Sequence, residues 1–185
     1  MADGSESIEL SRSELRAVAG YAVACARPAL AVFEREHPGD RRPRTAIDAA
    51  QAFADGGERT KALRDSAWAA QRAAHEARDA GRAAASDAAR AALAAAGAAF
   101  LHPLPTTAQV KHILGSAAHA ARAFELSAGD DPTVGLDRIA RFRVLAPPVV
   151  VDVLRRYPSA PSGGRRVGEL IRVLDASLRR PASDR

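Results

Sequence analysis

Residues 34–53, EREHPGDRRPRTAIDAAQAF, contain the corner that decides the fold. The residue before a proline is biased away from helical geometry and glycine permits a tight turn, so HPGD at 37–40 ends one helix. Asp40 suits an N-cap and Pro43 suits the first turn of the next helix, at about 41–55. The acids and arginines of this stretch are predicted to tie the two helices together, so we interpret it first as architecture.

The helix before this corner begins at a capping signal. SRSE at 11–14 has the S-x-x-E spacing of a capping box, which satisfies the free amides of a first turn. Apolar residues then recur at helical spacing to about Glu36. Pro28 removes one backbone donor and clashes with the preceding turn, so we predict a kink near residue 24.

Glycines, prolines and capping residues divide the rest of the chain into further helices. No segment alternates polar and apolar residues for long enough to predict a strand. The sequence therefore predicts an all-α fold, a single-domain helical bundle of about five long helices plus two or three shorter C-terminal helices. The further helices are expected at about 59–79, 82–101, 108–128, 133–145, 148–156 and 165–179.

Composition predicts how this bundle is organised. Alanine, the residue with the highest helix propensity, makes up about a quarter of the chain, and aromatic residues only 4%. We expect a flexible N-terminus (1–10), an alanine-rich bundle (11–131), basic C-terminal helices packing on the same domain (132–180) and a tail (181–185). The few large residues expected in the core are Leu15, Leu30, Phe33, Ile47, Phe53, Trp68, Phe100, Leu114 and Phe124.

Cysteine use and hydropathy exclude several classes of protein. The single Cys25 excludes an intrachain disulfide and a multi-cysteine metal site. The first ten residues lack the basic-then-apolar layout of a signal peptide, and AALAAAGAAFL at 91–101 is too short to span a bilayer. We expect a soluble, cytoplasmic protein with no membrane partner and no cofactor.

Two helices carry candidate functional residues. At about 100° per residue, the helix at 108–128 has an apolar face on one side and a polar stripe with two histidines on the opposite side. In the helix at 59–79, a tryptophan and a histidine share one direction, with a glutamine between them. The ligand-binding candidates are Trp68, Gln71, His75, His112, Ser116 and His119.

Histidine chemistry leaves several roles open for this stripe. His112 and His119 are the catalytic candidates, since histidine can act as general acid or base near neutral pH. They lie two turns apart, too far to bind one metal directly, so no metal site is predicted. The alternative is a solvated face with ordinary packing histidines.

Charge is concentrated in the C-terminal third. Residues 1–131 carry 16 Lys+Arg and 17 Asp+Glu, whereas residues 132–185 carry 11 and 5. Basic segments attract nucleic acids or acidic partners, although the arginine and alanine excess is also typical of a GC-rich genome. The candidates for such a surface are Arg138, Arg141, Arg155, Arg165, Arg166 and Arg172.

The corner also carries a family resemblance. ALAVFEREHPGDRRPRTAIDAAQAFADG, followed by ALRDSAWAAQRAAHEARDA and QVKHILGSAAHAARA, resembles the Imm-5-like putative immunity proteins over roughly residues 14–126. The resemblance implies a small, all-helical bacterial protein that neutralises a toxin by binding it. It also implies that His112, and with it His102, match histidines of the family. Gln71 stands where the family often has a histidine, which weakens any catalytic role carried by that position.

Three functions are compatible with these features. The first is a non-enzymatic interaction protein, an immunity or self-protection factor that binds a cognate toxin protein or a toxic small molecule. The alternative is a small-molecule enzyme of specialised metabolism or resistance, using His112 and His119 with Glu34 or Asp40. The second alternative is a nucleic-acid-binding protein that uses the basic C-terminal third. A homo-oligomer is compatible with all three, because alanine-rich faces pack equally well within or between chains.

Overall fold

The computed structural model describes residues 7–180, and this range contains nine α-helices and no strand. The predicted all-α fold is confirmed. Parts of the predicted tails, residues 1–6 and 181–185, lie outside the described residues. The helices are α1 (Arg12–Ala26), α2 (Leu30–Glu36), α3 (Arg42–Ala54), α4 (Lys61–Asp79), α5 (Ala83–Ala98), α6 (Val110–Ser127), α7 (Pro132–Leu145), α8 (Pro148–Arg155) and α9 (Arg165–Arg179).

The corner between α2 and α3 forms where the sequence predicts, but the N-cap of α3 is Arg41 and not Asp40. Asp40 lies one residue before the N-cap, and its Oδ1 accepts a hydrogen bond from the Arg42 N–H at 3.0 Å. Arg44 binds Glu34 with two hydrogen bonds of 2.7 Å and so ties α3 to α2. Arg42 also binds Glu76 of α4. Every charged group in these pairs is part of the architecture of the corner.

The interruption caused by Pro28 lies later than predicted. The capping box at Ser11 and Glu14 starts α1, and this α-helix continues past residue 24 to Ala26. A 3₁₀ turn at Arg27–Ala29 then separates α1 from α2. The tighter i→i+3 bonding of this turn accommodates the proline where it lies, so the distortion is local to it.

Helix α5 lies at the centre of the molecule and packs against α1, α2, α3, α4 and α6. Its alanines are buried on nearly all sides, because only small side chains let so many helices approach one another. One stripe of α5 stays half-exposed and faces outward between α4 and α6. Its members are Asp87, Arg90, Leu93, Ala94 and Gly97.

The core contains most of the predicted large residues but not Trp68. That side chain is 57% exposed, so its assignment to the core was wrong. The buried face of α4 is built from Leu63, Ser66 and four alanines, and Trp68 does not lie on that face. Phe100 and Phe124 are half-buried.

The C-terminal helices pack on the same body. Helix α6 contacts α7 and α9, and α8 contacts α1.

The segment Arg12–Glu36 is long and apolar enough to cross a membrane by length and composition alone, with a mean hydropathy of 1.3. Of its most apolar window, 61% is buried among the other helices, and core helices of soluble proteins meet the same criterion.

Candidate functional site

A groove of about 860 Å³ lies between α5, α6 and the start of α9, with the end of α4 at its edge. It forms because α5 and α6 run antiparallel with small residues facing each other. A Cβ at Gly115 would lie 3.8 Å from Ala94 Cβ, and one at Gly97 would lie 3.8 Å from His112 Nδ1. These small residues form the floor, so the side chains around them become the walls.

One wall holds a histidine and a carboxylate in direct contact. His119 Nδ1 lies 2.7 Å from Asp87 Oδ1, and the two side chains are 23% and 18% exposed. A carboxylate partner favours the proton on Nδ1 and leaves Nε2 free to face a ligand. Sequence reasoning identified His119 but missed Asp87, because nothing local links residues 32 positions apart.

His112 lies further along the same wall of α6 and is half-buried. Burial lowers the pKa of His112 because it disfavours the imidazolium ion, and the nearby His102 lowers it further. A hydrogen bond with the Gly97 backbone acts in the opposite direction. The net result is a pKa of His112 below the ordinary histidine value, which favours the neutral imidazole.

Ser116 and His75 do not line the groove, although they were grouped with its histidines. Ser116 is fully buried, and its hydroxyl lies 2.7 Å from the Ala22 carbonyl and 3.1 Å from the Ala91 carbonyl. Helix α6 has neighbouring helices on several sides. The face predicted to carry the polar stripe therefore also packs, in part, against other helices. His75 is half-buried on α4 and lines neither this groove nor its neighbour.

Trp68 and Gln71 line a second depression of about 520 Å³. Its walls also include Phe100 and Arg64, whose guanidinium lies 5.3 Å from the centre of the Phe100 ring. Leu93 lines both this depression and the groove, so the two lie side by side on one face of the molecule.

The groove is strongly cationic. Its only lining carboxylate is Asp87, against six Arg and Lys side chains in the part of the chain that the structure describes. Beneath it, the buried Glu125 binds two of these cations, Arg122 and Arg166, with an Arg166 Nε–Oε1 distance of 3.0 Å. The six cations are Arg78, Arg90, Lys111, Arg122, Arg165 and Arg166.

Glu125 is a residue that sequence reasoning missed. It is 1% exposed and joins α6 to α9 through Arg166. Gly135 of α7 lies against its carboxylate, where a Cβ would come within 2.0 Å of Oε2. No sequence signal marks it, since its partners lie three residues before it and 41 residues after it.

The structure does not bring the six basic candidates of the C-terminal third together. Arg165 and Arg166 line the groove, whereas Arg155 lines a separate depression between α7, α8 and α9. Arg172 donates to the Gly163 carbonyl at 2.6 Å and so fixes the loop before α9. Arg138 stacks on Phe124 at 3.7 Å, and Arg141 is exposed on α7.

The carboxylates proposed for acid–base chemistry lie in the corner. A hydrogen bond from Arg44 holds the pKa of Glu34 below its usual value, and one from Arg42 does the same for Asp40. Neither residue lines the groove. They therefore do not converge with His112 and His119 on one pocket.

Metal and thiol chemistry have little support here. Among residues 7–180, no group of three or more His, Cys, Asp and Glu side chains is placed to hold a metal ion. Cys25 is fully buried, and burial raises the pKa of its thiol to about 12. A thiol with this pKa is not a nucleophile at neutral pH.

Comparison with known proteins gives one match. A family model described as "Imm-5 like putative immunity protein" matches residues 9–143, about three quarters of the chain. No curated protein and no solved structure matches the chain significantly. The match includes α1 to α6 and nearly all of α7, so it contains both histidines of the groove, whereas Arg165 and Arg166 lie outside it.

Proposed function

We propose that this chain is a self-protection factor that binds a toxin and neutralises it, because it belongs to the family of Imm-5 like putative immunity proteins. Family membership is the observation that carries this proposal. The protein acts in the bacterial cytoplasm, where it binds toxin that the cell makes itself or receives. Its action is binding without chemistry.

The groove between α5, α6 and α9 is the docking surface. Binding sites are typically concave, with an apolar floor and a few convergent polar groups. This groove has a floor of alanine, glycine and leucine with His112, His119 and cationic side chains around it. Its floor lies within residues 9–143, so it belongs to the part of the chain that defines the family.

The first test is co-expression with the toxin-like products of neighbouring genes. We expect one of them to arrest growth alone, and to be silenced and co-purified in a stable complex when this chain is present. His112→Ala combined with His119→Ala should weaken the complex. His75→Ala is the matched control, because His75 is a half-buried histidine outside the groove. Protection without a complex would contradict the proposal.

A second candidate function is acid–base catalysis on a toxic small molecule. The observation that favours it is the 2.7 Å contact of Asp87 with His119, which orients an imidazole towards the groove. An enzyme would protect cells at amounts far below one molecule per toxin, and Asp87→Asn would abolish that protection while leaving binding in place. The groove itself, with a volume of about 860 Å³, offers space for such a small molecule beside His119.

A further inference from the structure

We infer that the groove between α5, α6 and α9 takes an acidic helical segment of the partner protein. This inference rests on the proposed function for the identity of the partner, a toxin. The chemistry of the segment follows from the charge and shape of the groove itself.

Half of the groove's cations have no counter-ion within the described part of the chain. Arg90, Lys111 and Arg165 lie more than 4.0 Å from every carboxylate oxygen among residues 7–180, unlike their neighbours. The one lining carboxylate, Asp87, is already in contact with His119. Uncompensated cations in a concave surface focus a positive potential, which attracts and orients an anionic partner.

The start of α9 adds to this potential. Gly164 occupies the N-cap without a side-chain hydrogen bond, and the first turn of α9 contains no acidic residue. Its free backbone N–H groups carry the positive end of the helix dipole. Residues 164–168 all line the groove, so this end belongs to the same cationic surface as Lys111 and Arg90.

The shape of the groove fits a helix. Its lining recurs every three or four residues from Ala83 to Gly97 on α5 and from Lys111 to Arg122 on α6, and Ala108 in the turn before α6 extends the second wall. Fourteen residue steps in a helix extend about 20 Å, so the groove runs along the helix pair for that length. A floor of alanine and glycine lets a third backbone approach closely, as in other grooves that bind amphipathic helices.

Single-stranded nucleic acid fits this surface less well. Sites for single strands combine a basic groove with aromatic rings on which bases stack. No Phe, Tyr or Trp lines the groove, and Asp87 lies within it. The exposed Trp68 belongs to the adjacent depression on the other side of Leu93.

The sign of the charge also selects the kind of toxin. A toxin that acts on nucleic acid carries a basic surface for phosphates, and an inhibitor covering that surface must be acidic. This groove would repel such a surface. We therefore infer that the docked segment carries Glu and Asp side chains along one or both flanks of a helix.

The test uses the full chain and a labelled helical peptide of about 14 residues, built from alanine with glutamate at every third or fourth position. A glutamine version of the same peptide is the matched probe. Fluorescence anisotropy should show binding of the glutamate peptide only. This binding should weaken steeply as added salt shortens the Debye length from about 30 Å to about 3 Å. NMR chemical shifts should change at Gly97, Gly115 and His119.

Charge reversal locates the binding. Arg90→Glu with Lys111→Glu should weaken peptide binding about tenfold or more, since like charges on both sides then repel. Arg141→Glu with Arg155→Glu makes the same change in net charge outside the groove and should leave binding within about twofold of the original. Circular dichroism of both variants checks that the fold is retained.

The possible failures are distinguishable. Equal loss in both double variants, equal binding of both peptides or no binding would overturn the inference. So would an oligonucleotide that binds the groove and displaces the peptide, since the site would then recognise nucleic acid. The co-expression assay tests the proposed function separately from the inference. If the Arg90→Glu, Lys111→Glu variant protects cells as well as the original chain does, the inference is overturned and the proposed function stands.

Discussion

Gly135, near the start of α7, lies directly over the buried carboxylate of Glu125. An alanine methyl group at this position would come within 2.0 Å of Glu125 Oε2 and 3.0 Å of Cδ. The carboxylate is held between the guanidinium groups of Arg122 and Arg166, so it cannot turn away without leaving them. We therefore expect Gly135→Ala to destabilise the protein by breaking this cluster of charges.

The magnitude follows from two opposed terms. Removing one partner from a buried ion pair costs about 3–5 kcal/mol. Arg122 and Arg166 are 19% and 21% exposed and keep Asp130 and Glu169 as second partners, so we expect about 2–3 kcal/mol here. Alanine is favoured over glycine in a helix by about 1 kcal/mol. The free energy of unfolding should therefore fall by about 1–2 kcal/mol.

The sign of the effect should reverse when Glu125 is removed. In a Glu125→Ala background the nearest remaining atom is Cβ of residue 125, at an ordinary contact distance of 3.5 Å. Gly135→Ala should then stabilise the protein by up to about 1 kcal/mol. Urea unfolding of all four variants, followed by circular dichroism, measures the coupling. If Gly135→Ala stabilises the original chain as well, or the two changes add without coupling, the steric argument is wrong.

Three further perturbations test other parts of the structure. The hydrogen bond from Arg156 lowers the pKa of Glu14 from 4.5 to about 2, so its contribution to stability is present above the unfolded pKa and is lost as pH falls through that window. Urea titrations at several pH values should show that the free energy of unfolding falls less steeply on acidification for Glu14→Gln than for the original chain. Equal slopes would refute this. His112 has a lowered pKa, so imidazole NMR should show it neutral at a pH where a free histidine is already protonated, and His112→Gln should lose less stability on acidification. Ser116→Ala should cost about 1 kcal/mol of stability and leave peptide binding unchanged; altered binding at retained fold would show that Ser116 contributes to the site.

Local signals predicted the helices well because helix ends depend on neighbouring residues. The capping box at Ser11 and the corner at 37–40 act through contacts within a few positions. The boundaries of α9 were predicted without error. Pro28 and Trp68 show the limit, since the position of a distortion and the burial of a side chain depend on which helices pack around them.

The candidate site was predicted only in part. The stripe on α6 correctly suggested that His112 and His119 share a surface, because helical periodicity is a local property. The same periodicity placed Ser116 with them, and that residue is buried, since a helix wheel does not show how many neighbours cover the helix. Asp87 and Glu125 were missed, because each acts on partners brought near by packing.

The sequence by itself determined an all-α bundle, the ends of most of its helices to within a few residues, its family and an excess of positive charge in its C-terminal third. Only the tertiary structure decided where that charge acts. Arg165 and Arg166 line the same groove as Lys111, and Arg166 of α9 binds the buried Glu125 of α6, while Arg172 and Arg138 are used in local contacts. Charge is a property of composition, but a charged site requires helices distant in the chain to pack side by side, and packing alone sets which cations remain without a partner.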